Sequence, residues 1–423
     1  MSILSGCSLS GYKKNIVLIL KAPILSFQAS AVDNKMESSY DFLKKAGEEF
    51  ASQYKYANVT VEVIQYDNAH ELDNIEACYG TGDAADVLLN DYFTMEAHVH
   101  TGRVVSLDDC ITDSLRDDID DEFWEISRVS GKVYMMPYLY RQNVLAYNTE
   151  LFRAAGLDKY IGDGNSIQTW TMEEWNEILE SLRNSLPDTS YPLMMYARNN
   201  QGDTHIMSLI RSYGSNILDD SNHFNLEDEA GLAGLSWIRD CYNKRYMPGN
   251  AYEIDMITNY DMFKNSQLAI FPVNATSERN LDMPYGLVNF PMLDKGSNTS
   301  FLTGFEVFDN GDENRLQVAK EFVKYIYESD YLDYSTTAIP CSRKTRDKYE
   351  QHLKPVDKYI SNKDKHIIFT NGAPNWLGVR EIFYKHMQNL LNSDKSVEDI
   401  AKELDADANK AIDKGYNESL LHK

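Results

Sequence analysis

The sequence predicts an α/β protein built as two domains, and three observations carry that reading. Short apolar runs alternate with segments of helical periodicity through the first half of the chain. At 423 residues the chain is long enough for two cores. The stretch "KVYMMPYLYRQNVLAYN" is extended, contains Pro137 and is too long for one ordinary strand. It reads as two strands joined across a domain boundary.

Each element follows in order. "NIVLIL", from Asn15, is a continuous apolar run of the kind a strand shows when both faces are covered. "SYDFLKKAGEEFASQY" places Phe42, Leu43, Ala46 and Phe50 at helical spacing, and "VTVEVIQYD" alternates as a strand. "AHELDNIEACYGTG" reads as a helix ending in glycine, and "ADVLLND" as a short buried strand. Such βα units predict a largely parallel sheet with helices on both faces. Ligands of these sheets bind at the carboxyl ends of strands, where Asn90, Asp91, Tyr92 and Phe93 fall. After the long extended stretch, helices dominate: "NTELFRAAGL", "MEEWNEILESLRNSL", "THIMSLIRSYG" and "EAGLAGLSWIRDCYNKR". Thr169 or Thr171 caps the second of these, where Thr171 and Glu174 fit a capping box, and Ser396 and Asp399 fit a second N-terminal box. Trp170, Trp175 and Trp237 sit at core spacing. "NYDMFKNSQLAIFPVN" is a helix end leading into a buried strand, and "PYGLVNFPM", "FLTGFEVFDNG" and "RLQVAKEFVKYIYES" continue as strand, strand and helix. Two helices close the series, in "REIFYKHMQNLLN" and "SVEDIAKELDADANKAID". No repeat or low-complexity linker appears, so the domains are joined by crossing strands rather than a tether.

Composition excludes several functions. A net charge of −24 argues against nucleic acid, which needs concentrated Lys and Arg, and against anionic lipid surfaces. No run approaches the ~20 apolar residues that span a bilayer. Tyrosine is abundant at 28 residues, which suits cores and also surfaces that bind hydroxyl-rich ligands with apolar faces. The densest acidic run, Asp108 to Phe123, lacks EF-hand spacing and reads as a solvated helix face or turn. Cys78, Cys110, Cys241 and Cys341 show no zinc spacing and read as buried thiols, with a Cys78–Cys110 pair as the alternative. Nucleophile-elbow, HExxH and phosphate-loop motifs are missing, and "GTGDAAD" precedes a strand, so it reads as a turn. His98 and His100 would share a face, and a metal, only on a strand. No cofactor or metal is expected.

The first residues leave three readings open. Leu4-Ser5-Gly6-Cys7 has the form of a lipoprotein box, but only six residues precede the cysteine. "KKNIVLILKAPILSFQASA" has the outline of a signal peptide ending near Ala31, broken by Lys21 and Pro23. The third reading is no export at all.

The order of elements resembles the extracellular solute-binding proteins of family 1, the maltose-binding-like receptors of ABC importers. "VLAYNTELFRAAGLD" is similar to the segment after their first hinge, and "QTWTMEEWNEI" to the helix start that follows. "MFKNSQLAIFPVN" resembles their Phe-x-x-Gly-x-x-Ala-Met strand, with Ser266 where glycine is usual. "YGLVNFPM", "ENRLQVAKEFVKYIYESD", "TAIPCSRK" and "DKSVEDIAKELDADANKAI" match later segments in the same order, from about residue 14 onward.

The resemblance implies a periplasmic-binding-protein-like fold of class II: two α/β lobes, three crossing segments and a ligand cleft between the lobes. Residues 1–13 would be a lipobox and tether, 14–140 and 303–340 one lobe, and 141–302 and 341–423 the other. The crossings would lie near 138–143, 302–305 and 339–342. Cys7 would carry the lipid, "NIVLIL" would be the first strand, and the Ala29-Ser30-Ala31 match would be accidental. By position along the family pattern, the ligand would meet Lys35, Glu37, Ser38, Asn90, Asp91, Tyr92, Tyr138, Arg141, Asn274, Phe305, Glu306 and Trp376. The implied function is a non-enzymatic sugar receptor, a monomer on the outer face of a Gram-positive-type membrane. Its partners would be a carbohydrate and the importer's permease subunits. The alternatives are the same fold binding a polyamine or other small solute, and a secreted carbohydrate-active enzyme.

Overall fold

The computed structural model describes residues 13–23, 31–32, 38–66, 75, 78–293, 295–362, 366–367 and 373–421. Lys35, Glu37, the Cys7 box and most of "AHELDNIEACYGTG" lie outside the described residues.

Nine strands among the described residues form one sheet, in the order β10-β6-β9-β3-β1-β2, with β7 and β8 beside β6 and β11 beside β9. The strands are β1 (Asn15–Pro23), β2 (Asn58–Tyr66), β3 (Val87–Asp91), β6 (Met136–Asn148), β7 (Ile270–Asn274), β8 (Tyr285–Val288), β9 (Asn298–Val307), β10 (Ile339–Pro340) and β11 (His366–Ile367). β4 (Arg128–Val129) and β5 (Lys132–Val133) make a separate hairpin.

The sheet is mixed rather than largely parallel. β1 runs parallel to β2 and β3, as the βα reading expects, but β3, β6, β9 and β10 pair antiparallel. The cause is β9, which returns alongside β3 and β6 in the opposite direction. From Met136 to Asn148 the extended stretch around Pro137 is one 13-residue strand, while Lys132 and Val133 at its start belong to β5. A register shift between Pro137 and Leu139 absorbs the proline as a bulge. The first part of β6 pairs with β9 and β10, and the last part with β7 and β8. β6 therefore ties two groups of strands together.

β1 continues through Lys21-Ala22-Pro23, and the Lys21 side chain is buried. Thr171 and Glu174 make the reciprocal capping box, and Ser396 caps the Val397–Glu418 helix through Asp399. Ser266 adopts φ 55°, so the position where the resemblance leads one to expect glycine does use the left-handed region. Trp170, Trp175 and Trp237 are buried in the core. Cys78, Cys110, Cys241 and Cys341 are free thiols. His98 and His100 lie on the Met95–His100 helix and meet different partners, Glu306 and Ser419.

Candidate functional site

Strand parity assembles the site. Side chains directly opposite each other on antiparallel strands share a face, as do alternate residues along one strand. Asp91 lies opposite Thr303, Arg141 opposite Phe301, and Asn143 opposite both Thr299 and Asn274. Four strands thus bring Asp91, Arg141, Asn143, Asn274, Phe301 and Thr303 to one face. Most of these are half-buried, whereas residues farther along the same strands are buried.

At its centre Arg141 donates from Nη2 to Asp91 Oδ1 at 2.9 Å and to Thr303 Oγ1 at 3.1 Å. The Thr303 hydroxyl in turn donates to Asp91. Both charged side chains keep some solvent access, 17% for Arg141 and 26% for Asp91. Phe93, two residues past Asp91, meets Phe301 edge-on with centroids 4.9 Å apart. The Arg380 guanidinium lies over the Phe93 ring, 5.9 Å from its centroid, and forms a short ion pair with Asp203. Arg380 stands on the Trp376–Asn392 helix and Asp203 opens the Asp203–Ile210 helix. Arg211 is buried next to Tyr92, and burial pushes its guanidinium down to about 10. His205 stacks on Tyr196 at 3.9 Å, and burial holds its imidazole near 3, so it stays neutral.

The residues expected from sequence divide sharply. Asp91, Arg141 and Asn274 reach the shared face. Asn274 also caps its own turn, accepting from the N–H groups of Thr276 and Ser277 at 2.9 Å each. Tyr92 is buried and stacks on Phe93, centroids 4.7 Å apart. Ser38 is the N-cap of the Ser39–Gln53 helix, bonded to Asp41.

Five others point elsewhere, each for a physical reason. Glu306 and Asn90 belong to the opposite parity. Both are buried, and Glu306 Oε2 lies 3.0 Å from His98 Nδ1 and Oε1 accepts from Asn90 at 3.3 Å. Phe305 shares the site's parity but sits two residues deeper, under Tyr138 and Tyr327. Tyr138 lies at the bulge, stacks on Phe42 and donates to the Tyr331 carbonyl at 2.6 Å. Trp376 is not in a loop. It is the first residue of its helix, fully buried against Phe224. All five side chains are buried away from the shared face.

Sequence reasoning placed Phe93 at the ligand-binding strand end but left Phe301, Thr303, Asn143 and Arg380 out of the candidate site. The signal was present for three of them. Once β9 and β6 are paired, parity selects Thr303 and Phe301 over Glu306, and Asn143 with Arg141. No sequence signal placed Arg380 over Phe93.

Paired charges, amides, a hydroxyl and two aromatic rings suit a polar, uncharged ligand with apolar faces. A family model described as bacterial extracellular solute-binding protein matches residues 34–332. No curated protein sequence matches significantly. Among solved structures, an ABC substrate-binding protein from Listeria monocytogenes in complex with cycloalternan is 14% identical, with a TM-score of 0.73 over 95% of this chain and 100% of that one. The maltose/maltodextrin-binding domain from Bdellovibrio bacteriovorus bound to maltotriose is 14% identical, at TM-score 0.71 over 94% and 100%. The GacH receptor of Streptomyces glaucescens, solved with acarbose, is 17% identical, at TM-score 0.69 over 94% and 99%.

Proposed function

Because the chain belongs to the bacterial extracellular solute-binding protein family, we propose that it is the substrate receptor of an ABC importer and binds a neutral sugar, an oligosaccharide, between its two strand groups. The observation that carries the ligand class is charge pairing. Asp91 is neutralised by Arg141, and Asp203 by Arg380. A polyamine needs carboxylates left over for its ammonium groups, and these two are already engaged. A sugar needs donors and acceptors fixed in place and rings for its C–H faces, which Arg141, Asp91, Thr303, Asn143, Phe93 and Phe301 offer. The cycloalternan, maltotriose and acarbose complexes of the similar folds support the same class.

The two strand groups act as lobes, and ligand closes one on the other by rotation about the strands that join them. Closure marks the receptor as loaded for the permease. The protein performs no chemistry and works as a monomer. Cys7 carries a lipid that holds it on the outer face of a Gram-positive-type membrane. The sequence around Cys7 and the family support that anchor, and loss of acyl labelling in Cys7→Ser tests it.

A thermal-shift screen against monosaccharides, oligosaccharides and polyamines tests the function, because a ligand of the folded state raises Tm by mass action. A shift with one glycan class, with the glycan recovered intact by chromatography, is the expected result. A shift with polyamines alone overturns the ligand class. Consumption of a glycan overturns the receptor reading.

A further inference from the structure

The lobes touch at a place that the joining strands do not explain. The Val397–Glu418 helix is clasped to the segment around residues 223–227 along one stripe, in steps of four. Asp405 accepts the N–H groups of Leu226 and Glu227 at 2.8 and 3.0 Å. Asn409 bonds both backbone groups of Phe224, and Asp413 Oδ1 lies 3.0 Å from His223 Nε2. Asn375, just before the Trp376–Asn392 helix, donates to the Ala411 carbonyl at 3.2 Å. The helix body therefore belongs to the second lobe.

Its last turn and the residues after it reach the first lobe. The Tyr416 ring meets the His100 ring edge-on, centroids 5.7 Å apart. Ser419 Oγ lies 2.7 Å from His100 Nδ1, and the Leu420 N–H donates to the His100 carbonyl at 2.8 Å. Gly102, at φ +73°, leaves room for Leu420, whose Cβ would stand 3.1 Å from any Cβ placed there. On the other side, the Met95–His100 helix is fastened to β9 of the first lobe through His98 and Glu306. Glu96 holds the far side of the His100 ring, its Oε1 3.5 Å from Nε2.

We propose that Tyr416–Leu421 is a strap that links the two lobes outside the joining strands and biases the receptor, before ligand arrives, toward the form described here, in which Arg380 of the second lobe already lies over Phe93 of the first. This rests on the two-lobe reading above. The contact is built to open. It consists of two hydrogen bonds, an edge-on ring contact and the packing of Leu420 against Gly102 and of Leu421 against the core, and Tyr416 and Leu420 stay 39% and 51% exposed. A contact of that size shifts a population without locking it.

Two variants test the strap: deletion of Ser419–Lys423, and Leu420→Pro, which removes the N–H that bonds His100. Small-angle scattering of the ligand-free protein reads the lobe separation, and calorimetry with the glycan found by the screen reads affinity. The expected result is a larger radius of gyration in both variants, and affinity weaker by roughly three- to tenfold, with Tm nearly unchanged. An unchanged radius in both variants overturns the strap. If Leu420→Pro fails to fold, the deletion carries the test. The scattering arm needs no ligand, so a protein that binds no sugar would sink the sugar reading and leave the strap still tested.

Discussion

Arg141 shows how much one side chain can decide. It bridges β3 and β9 by donating to both Asp91 and Thr303 from a single nitrogen. A hydrogen bond to a charged group contributes about 1.5–3 kcal/mol. Arg141→Ala leaves the Asp91 carboxylate half-buried without its cation. It should lower Tm and weaken glycan binding by about tenfold or more, read by calorimetry. Arg141→Lys keeps the charge but not the planar fork, and should recover only part of both losses. A retained affinity in Arg141→Ala would remove this residue from the site. Asp405 makes a different kind of case. Burial, then the nearby Glu227 and Asp228 charges, outweigh its two N–H donors and raise the carboxyl to about 6 from 3.8. A folded-state pKa above the unfolded one means that the stability it contributes is fully present below about pH 4. That stability is lost as pH rises through 6. Asp405→Asn keeps an acceptor for Leu226 and Glu227 without the buried charge. Its Tm at pH 7.5 should equal or exceed the parent's, and the parent's gain in Tm on acidifying toward pH 5 should shrink. A variant with an undiminished gain would place the titration elsewhere.

At the scale of elements, the sequence was most legible where one residue pattern decides one element. The capping box at Thr171 and Glu174, the periodicity of Phe42, Leu43, Ala46 and Phe50, and the strand "NIVLIL" all appear where the pattern put them. Pairing was not legible. Nothing local tells that β9 returns antiparallel between β3 and β6, and without that register the parity of Glu306 against Thr303 cannot be assigned. That one missing fact moved Glu306 into the candidate site and kept Phe301 and Thr303 out of it, while Phe305 has the right parity and lies two residues too deep. Trp376 was misplaced because the start of its helix fell on the tryptophan itself. The junction of β6 and β9 also has a tight point. A Cβ on Gly304 would stand 2.4 Å from the Met136 carbonyl oxygen, which is backbone and cannot swing away. Gly304→Ala should therefore force the bulge at Pro137 to shift and cost about 1–3 kcal/mol, seen as a lower Tm. The same change in an exposed turn such as Gly249, where a Cβ meets nothing, should be close to neutral. Equal effects at the two positions would argue against a rigid β6–β9 junction.

For the whole molecule, the open question is where the chain makes its last crossing between lobes. The family pattern suggests residues 339–342. From the contacts we propose a later position. After β10, Ser342 donates to Asp118 at 2.6 Å, and Arg346 pairs with Asp120 at 2.8 Å. Lys348 and Tyr349 bond Asp333. The Arg343–Lys348 helix is thus fastened to the lobe that holds β1, β2 and β3. A few residues on, the attachments change sides. Lys358 and Tyr359 both bond Glu278, and Asn362 exchanges hydrogen bonds with Asn289. Those partners flank β8, which pairs with the far half of β6. The change of partner falls between Tyr349 and Asp357, in a run of short helical turns that includes Pro355. Short turns with few fixed side chains are where a hinge absorbs backbone rotation at least cost. Hydrogen exchange with and without the bound glycan measures this directly. Amides of 349–356 should change protection on binding, while those of 343–348 should not, because that helix moves as part of the first lobe. A ligand response confined to 339–342 would return the crossing to the position that the sequence pattern suggests.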